Sequence, residues 1–289
     1  MRCTAGGAGK IRPLFWRAFG SQCWQMNAAS LVDFVEFGVQ TAQEAGQEVL
    51  KYFRGSIEVA NKAGPGRFDP VTQADRSAEE LIRARIRARF PEHGILGEEG
   101  GHEGAGRPLT WIIDPIDGTR AFILGQLHWG TLLGLAENGA TRVGVMHQPY
   151  VDETFVGSAL GAELRTSRAV RQLRTRSGAR LADTVVCATD PTMFAAPEER
   201  AAFDRVARAA RAVRYGGDCY TPCLVAAGYA DLVIEAQMKP WDVLPLMPIV
   251  EAAGGVVSDW SGAPAGRTSQ VVIACDRALH REVLSALNG

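Results

Sequence analysis

Short apolar runs that end in acids recur along this chain, and they restrict it to folds that bury a strand while opening its last residues to solvent. The sharpest case is "WIIDPIDGTRAFILG", residues 111–125. Trp111, Ile112 and Ile113 read as a buried strand that delivers Asp114 and Asp117 into a tight turn of Pro, Gly and Thr. Like charges that close together repel, and neither stays ionised cheaply without a compensating cation. One reading is a polar turn that caps a helix, since Asp, Gly and Thr are common turn and N-cap residues. The other is a metal site.

Three more acid clusters each end an apolar run or open a helix: Asp69 and Asp75 in "FDPVTQAD", Glu98 and Glu99 in "ILGEEG", and Asp242 in "KPWDVL". A strand end places such acids at one edge of a sheet, where functional groups gather in open α/β folds. Carboxylates with few neutral ligands suit hard cations such as Mg²⁺. One ion cannot use this many acids. Two or more can, with Asp114 bridging them, and two ions roughly 3.5–4 Å apart form the clamp used for in-line phosphoryl displacement. Taken singly the clusters are weak, and Asp69 alone reads as a solvated turn acid. "DPIDGT" also differs from the aspartyl-phosphate motif D-x-D-G-T, because two residues separate its acids. A covalent aspartate therefore fits poorly.

The remaining pattern predicts a mixed α/β protein of layered sheets and helices. A helix is expected over 30–53, from the spacing of Leu31, Val35, Ala42, Ala45, Val49 and Phe53, with Gly55 as its stop. "NKAGPGRFDPVTQAD" reads as a loop or hairpin. Asp75 is expected to cap a second helix over 76–90, with arginines 83, 85, 87 and 89 mostly on its solvated face. Strands are expected at 130–136, 142–147, 153–157, 184–189, 231–236, 255–259 and 270–275. Helices are expected at 197–213, 242–253 and 276–287. The seam between two halves is placed near 158–180, where Gly, Ser and Arg interrupt the patterns.

Charge supports this reading by exclusion. With 31 basic against 32 acidic residues in 289, the chain carries no footprint for nucleic acid or an anionic membrane. No apolar run reaches the ~18 residues of a membrane span. Six scattered cysteines without a C-x-x-C pair read as reduced thiols of a cytoplasmic protein. Cys219 and Cys223 lack a neighbouring histidine for zinc. Residues 1–26 carry Arg2, Lys10, Arg12 and Arg17 and no acid, a composition that resembles a transit peptide. They are read as a disordered tail or a mis-called start, because Met26 directly precedes the first helix.

"DPVTQAD", "GEE", "WIIDPIDGT", "KPWDV" and "EAAGG", in this order and at these distances, resemble the inositol monophosphatase family of Mg²⁺-dependent phosphomonoesterases over roughly residues 27–289. The resemblance implies a layered α/β/α/β/α fold, shared with fructose-1,6-bisphosphatases, and a homodimer. It implies two or three Mg²⁺ ions, with Mn²⁺ as a substitute. Glu98, Asp114 and the Ile116 carbonyl would hold the first ion, and Asp114, Asp117 and Asp242 the second. A third, weaker ion would involve Glu98 and water, with Lys62 nearby on a loop longer than the family's usual form. Thr119, in reach of Asp75, would orient the attacking water. The Gly118 and Thr119 amides would receive phosphate oxygens. Glu99 is read as a neighbour only.

Two stretches depart from the inositol enzymes. "RAFILG" follows "DPIDGT" without the usual Asn, and "YGGDCYTP" places Asp218, beside the substrate-binding candidate Gly217, where small or hydroxyl residues are customary. Both resemble the histidinol-phosphate phosphatase branch of the family. Histidinol carries an ammonium and an imidazole, so Asp218, Glu235 and Asp242 could pair with cationic groups. Asp218 also suits a helix N-cap ahead of "YTPCLVAAG". The expected substrate is therefore a small phosphate ester, L-histidinol phosphate, with an inositol or sugar phosphate as the alternative. A non-catalytic protein that kept the fold would be expected to lose a metal acid, and none is missing.

Overall fold

The computed structural model describes residues 28–56, 58–62 and 70–289. The expectations for residues 1–26 and for Asp69 lie outside these described residues.

Helix α1 (Ala28–Leu50) buries Leu31, Phe34, Val35, Val39, Ala42, Ala45 and Val49 along one stripe. The hairpin β1 (Val59–Asn61) and β2 (Pro70–Thr72) leads into α2 (Gln73–Arg89). Thr72, not Asp75, is the N-cap of α2. Asp75 lies three residues inside and completes a capping box, its Oδ2 accepting from the Thr72 amide at 2.8 Å and the Thr72 hydroxyl at 2.6 Å. Arg83 departs from the solvated face expected of it. It is buried and paired with Glu79 at 2.7 Å, one helical turn away.

Eight strands follow in one sheet: β3 (Gly94–Gly97), β4 (Gly101–Glu103), β5 (Leu109–Asp117), β6 (Gly130–Glu137), β7 (Ala140–Gln148), β8 (Glu153–Ser158), β9 (Gly161–Arg165) and β10 (Val170–Gln172). Their order is β10-β9-β8-β7-β6-β5-β3-β4, antiparallel except between β3 and β5. The short helix α3 (Thr119–Ile123) sits between β5 and β6. The chain then crosses to a second sheet of β11 (Val185–Ala188), β12 (Ala212–Tyr215), β13 (Leu232–Glu235), β14 (Val256–Ser258) and β15 (Val271–Ala274), ordered β12-β11-β13-β15-β14. Its helices are α4 (Pro197–Ala209), α5 (Tyr220–Ala226), α6 (Pro240–Val243), α7 (Met247–Ala252) and α8 (Arg277–Asn288).

The layers run α/β/α/β/α. α1 and α2 cover one face of the large sheet, α5, α6 and α7 fill the space between the sheets, and α4 and α8 close the far side. One buried cluster joins Leu132, Met146 and Phe155 of the large sheet to Val233, Ile249 and Val272 of the second half. A row of register-paired glycines, Gly134, Gly144 and Gly157, lets the middle layer lie directly on the sheet. A side chain at Gly144 would overlap the Pro245 carbonyl oxygen, and one at Gly157 would overlap the Ile249 backbone.

Two expected helices end differently. The run 242–253 splits into α6 and α7 at Pro245, which has no N–H to continue a helical ladder, whereas Pro248 falls in the first turn of α7, where that N–H is not needed. The run 197–213 stops at Ala209, and Ala212 and Val213 pair in parallel with β11 at the sheet edge. Alanine-rich periodicity extended naturally past that boundary, and only the long-range pairing breaks it. Strands β9 and β10 occupy much of the expected seam.

Candidate active site

The parallel pairing of β3 and β5 brings two acid-ended strands out on the same edge. Gly97 pairs with Ile113, so Glu98 falls beside Asp114, and the Glu98 amide donates to the Ile113 carbonyl at 3.2 Å. In a regular strand, residues three apart point to opposite faces, which would separate Asp114 from Asp117. The strand is not regular there. Asp114 faces Leu132 and Asp117 faces Gly130, so three steps on β5 match two on β6. The extra residue is a β-bulge that re-aims the second acid to the side of the first. Pro115 and Ile116 form the bulge. Thr131 Oγ1 donates to the Pro115 carbonyl at 2.9 Å, and the Ile116 amide donates to Asp114 Oδ1 at 3.1 Å.

Asp242 reaches the same point from the middle layer, with its Oδ2 accepting from the Lys239 amide at 2.8 Å. One carboxylate oxygen each from Asp114, Asp117 and Asp242 lies within 4.8 Å of the other two. Asp114 is buried, whereas Asp117 and Asp242 stay partly accessible, so the cluster opens outward. Burial, and then the charges of Glu98, Asp117 and Asp242, push Asp114 well above the usual carboxylate range. Burial and the charges of Asp242 and Asp218 do the same to Asp117, against the Cys219 amide that donates to it at 3.1 Å. Asp242 is pushed up to about 7 by burial, with the Glu98 charge adding to it. Such a set is costly without a cation, and its donors are all hard oxygens. It fits a magnesium-type ion and not a thiolate-seeking one.

Lys62 comes off the β1 hairpin and places Nζ 2.7 Å from both Glu98 Oε1 and Glu99 Oε1. Burial disfavours its charge, but hydrogen bonds to the two glutamates outweigh that and raise its pKa. Behind them sits a pair that the sequence reading missed. Glu79 accepts from the Glu99 amide at 2.7 Å and the Gly100 amide at 2.8 Å, while Arg83 Nη2 donates to the Gly101 carbonyl at 2.6 Å. A buried carboxylate thus anchors the backbone of the "GEEGG" turn that carries Glu98. The E-x-x-x-R spacing of Glu79 and Arg83 is the available signal, and the sequence reading takes only the arginine, as part of a solvated face.

Asp75 is buried beneath this turn and is pushed up to about 6, chiefly by burial with Glu99 adding, against its bonds to Thr72. Thr119 Oγ1 donates instead to the Ile116 carbonyl at 3.0 Å. The Thr119–Asp75 contact expected from the family is therefore not made in this structure, because each side chain is engaged with backbone or cap nearer to it.

The residues expected to meet the leaving group arrive from the second half. Gly118 adopts the left-handed conformation, with φ of +86°, and an added Cβ would lie 2.6 Å from the His128 carbonyl oxygen and 3.1 Å from Asp218 Cβ. Only glycine fits there, so the "DGT" turn and the "GGDCY" turn touch directly. Asp218 has φ of +41° and does not cap α5, whose N-cap is Cys219. Burial pushes Asp218 up to about 6, with Arg120 and the Gly217 amide opposing. Glu235 ends β13 and accepts the Thr189 amide at 3.0 Å and its hydroxyl at 2.9 Å. Burial pushes it up to about 8, against those bonds.

Residues 30–289 match the model of the inositol monophosphatase family. The chain belongs to that family. It is 35% identical over 276 residues to the bifunctional phosphatase IMPL2, chloroplastic, of Arabidopsis thaliana, covering 91% of this chain and 77% of that protein. It is 35% identical over 254 residues to a histidinol-phosphatase of Chlorobaculum parvum, covering 88% and 96%. Among solved structures, an inositol monophosphatase from Zymomonas mobilis superposes with a TM-score of 0.79 at 34% identity, covering 91% of this chain and all of that one. As an inositol monophosphatase family phosphatase, the chain acts on small phosphate esters. No described helix is long and apolar enough to cross a membrane.

Proposed function

We propose that this family member hydrolyses L-histidinol phosphate to L-histidinol and phosphate with the help of Mg²⁺. The observation that carries the substrate reading is the contact between Gly118 and Asp218, which sets a carboxylate of the "GGDCY" turn against the "DGT" turn beside Asp117. A neutral polyol gains little from that carboxylate, whereas an ammonium or imidazolium gains a charge-assisted hydrogen bond. The Chlorobaculum parvum relative carries the matching name.

Glu98, Asp114, the Ile116 carbonyl, Asp117 and Asp242 would hold two ions, with Lys62 and Glu98 near a third. Bound divalent cations would neutralise phosphoryl oxygens and lower the proton affinity of an attacking water. The chain's own residues do the rest. Thr119, fixed by its bond to the Ile116 carbonyl, would orient the water, and Asp75, held in the Thr72 capping box, would support it from there. The Gly118 and Thr119 amides receive phosphate oxygens. Asp218 and Glu235, with Gly217 giving Asp218 its position, orient the leaving group. Cys187, Cys219, Cys223 and Cys275 are free thiols among the described residues, as a reducing, cytoplasmic setting would keep them; a homodimer is the assembly the same reading carries.

The test is a panel of phosphate esters on the purified protein, with EDTA and with Mg²⁺ or Mn²⁺ restored. A preference for histidinol phosphate supports the reading, and a preference for inositol-1-phosphate overturns it. Full turnover in EDTA, or a trapped aspartyl-phosphate, overturns the metal mechanism.

A further inference from the structure

The two departures from the inositol pattern, "DGTRAF" and "GGDCY", converge with a third segment, "TDP" at 189–191. Two residues beyond Gly118, Arg120 Nη1 lies 2.9 Å from Asp190 Oδ2. The other Asp190 oxygen accepts the Thr192 amide and hydroxyl, both at 2.7 Å. Asp190 is therefore fixed by its own turn, and Arg120 is the looser partner, with its side chain 57% exposed against 30% for Asp190. Thr189, next in the chain, is the residue bonded to Glu235. The Arg120 charge also favours ionised Asp218, whereas Asp190 disfavours it. Asp190 and Asp218 thus form an acidic wall beside the "DGT" turn, with buried Glu235 behind Asp218, and the Arg120 guanidinium on a long exposed stem stands against it.

We propose that Arg120 is the resident counter-ion of this wall and that a cationic leaving group takes its place. The Arg120–Asp190 pair then sets the preference between cationic and neutral phosphate esters. This rests on the phosphatase reading above and adds residues which that reading leaves unassigned. The physical basis is mutual exclusion. Two cations cannot share the same carboxylates without repulsion, and an exposed ion pair is weak enough for its arginine to turn into solvent. With a neutral leaving group nothing competes, and Arg120 stays.

The experiment measures kcat/KM for a cationic and a neutral ester on the Mg²⁺-loaded protein, and reads only how their ratio changes on substitution. L-histidinol phosphate and O-phosphoethanolamine serve as the cationic esters, with glycerol 2-phosphate as the neutral one. Removing a competitor of exposed-pair strength in Arg120→Gln should raise the cationic-to-neutral ratio about two- to five-fold. Arg120→Lys, which keeps the charge, should stay close to wild type. Asp190→Asn releases the guanidinium towards Asp218 and should lower the ratio. Melting temperatures identify any variant that fails to fold, and the remaining variants still fix the sign. A ratio that falls in Arg120→Gln, or losses equal on all esters, overturns the proposal. Wild-type preference for a neutral ester would instead overturn the histidinol reading, and the sign of the Arg120→Gln change would still decide the role of Arg120.

Discussion

The two ends of the candidate site are built by different means. Glu98, Asp114 and Asp117 leave the edge of one sheet, and their convergence follows from backbone geometry: a parallel register, a bulge, and a glycine row that lets the segment bearing Asp242 come close. Asp190, Asp218 and Glu235 come from three separate segments joined through side chains, Arg120 to Asp190 and Thr189 to Glu235. Rigid sheet edges suit the chemistry common to every ester, since the acids must be held closely to bind ions. Loop residues suit selectivity, because they can change without disturbing the scaffold. Substitutions at the first end should therefore hurt all esters alike, and those at the second should discriminate.

The largest effect should come from Asp114→Asn. It removes a charge from the centre of the acid cluster, so kcat/KM should fall at least about a thousand-fold for histidinol phosphate and for inositol-1-phosphate together. A loss confined to one ester would break the division between the two ends. Next is Asp218→Asn. Charge-assisted hydrogen bonds are worth ~1.5–3 kcal/mol, so histidinol phosphate should lose about ten- to a hundred-fold while a neutral ester is spared. Equal losses on both would move Asp218 to the metal end.

Glu79→Gln should act more mildly. The amide keeps an acceptor for one of the Glu99 and Gly100 amides but loses the charge that holds Arg83, so the turn under Glu98 loosens. Supporting residues behind metal ligands typically matter by about ten-fold or more in affinity. Isothermal titration with Mg²⁺ should show weaker binding, and the ratio between esters should not move. Unaltered Mg²⁺ affinity would mean that Glu98 is held by β3 alone.

How far the sequence revealed each end follows the same division. Asp114, Asp117 and Glu98 follow apolar runs and Asp242 opens a helix, and these local signals are legible in the sequence. The bulge between Asp114 and Asp117 is not, because it exists only relative to β6. Glu79 and Arg83 look like an ordinary exposed pair until α2 is docked on the turn at residues 98–101. Asp190 and Arg120 are 70 residues apart, and nothing local links them. The proline interruption at 245 is visible in the sequence, yet helical periodicity across it outweighs the missing N–H. The layered α/β class survived all of this because it depends on the number and type of elements and not on their ends.

The smallest expected effect separates the scaffold from both ends. His147 on β7 is buried under α1, where an added Cβ at Gly46 would lie 2.7 Å from its ring, and its Nδ1 meets Thr154 Oγ1 at 2.9 Å. Burial pushes its pKa down to about 4, against the Glu153 backbone and the Asp152 charge. In the unfolded chain the ring takes its proton at about 6.5. Between those values the unfolded state binds the extra proton, so the contribution to stability is present above about 6.5 and is lost as the pH falls towards 4. His93 and His280 are lowered too, so a slope of the same sign remains in any single variant. The difference between wild type and His147→Gln isolates this group. Urea unfolding at pH 7 and pH 4.5 should show the variant losing less stability than wild type, by about 2 kcal/mol. Its ratio of kcat/KM between cationic and neutral esters should match wild type. A changed ratio would show that the face under α1 communicates with the leaving-group end, and an unchanged pH dependence would show that His147 takes its proton in the folded state as readily as in water.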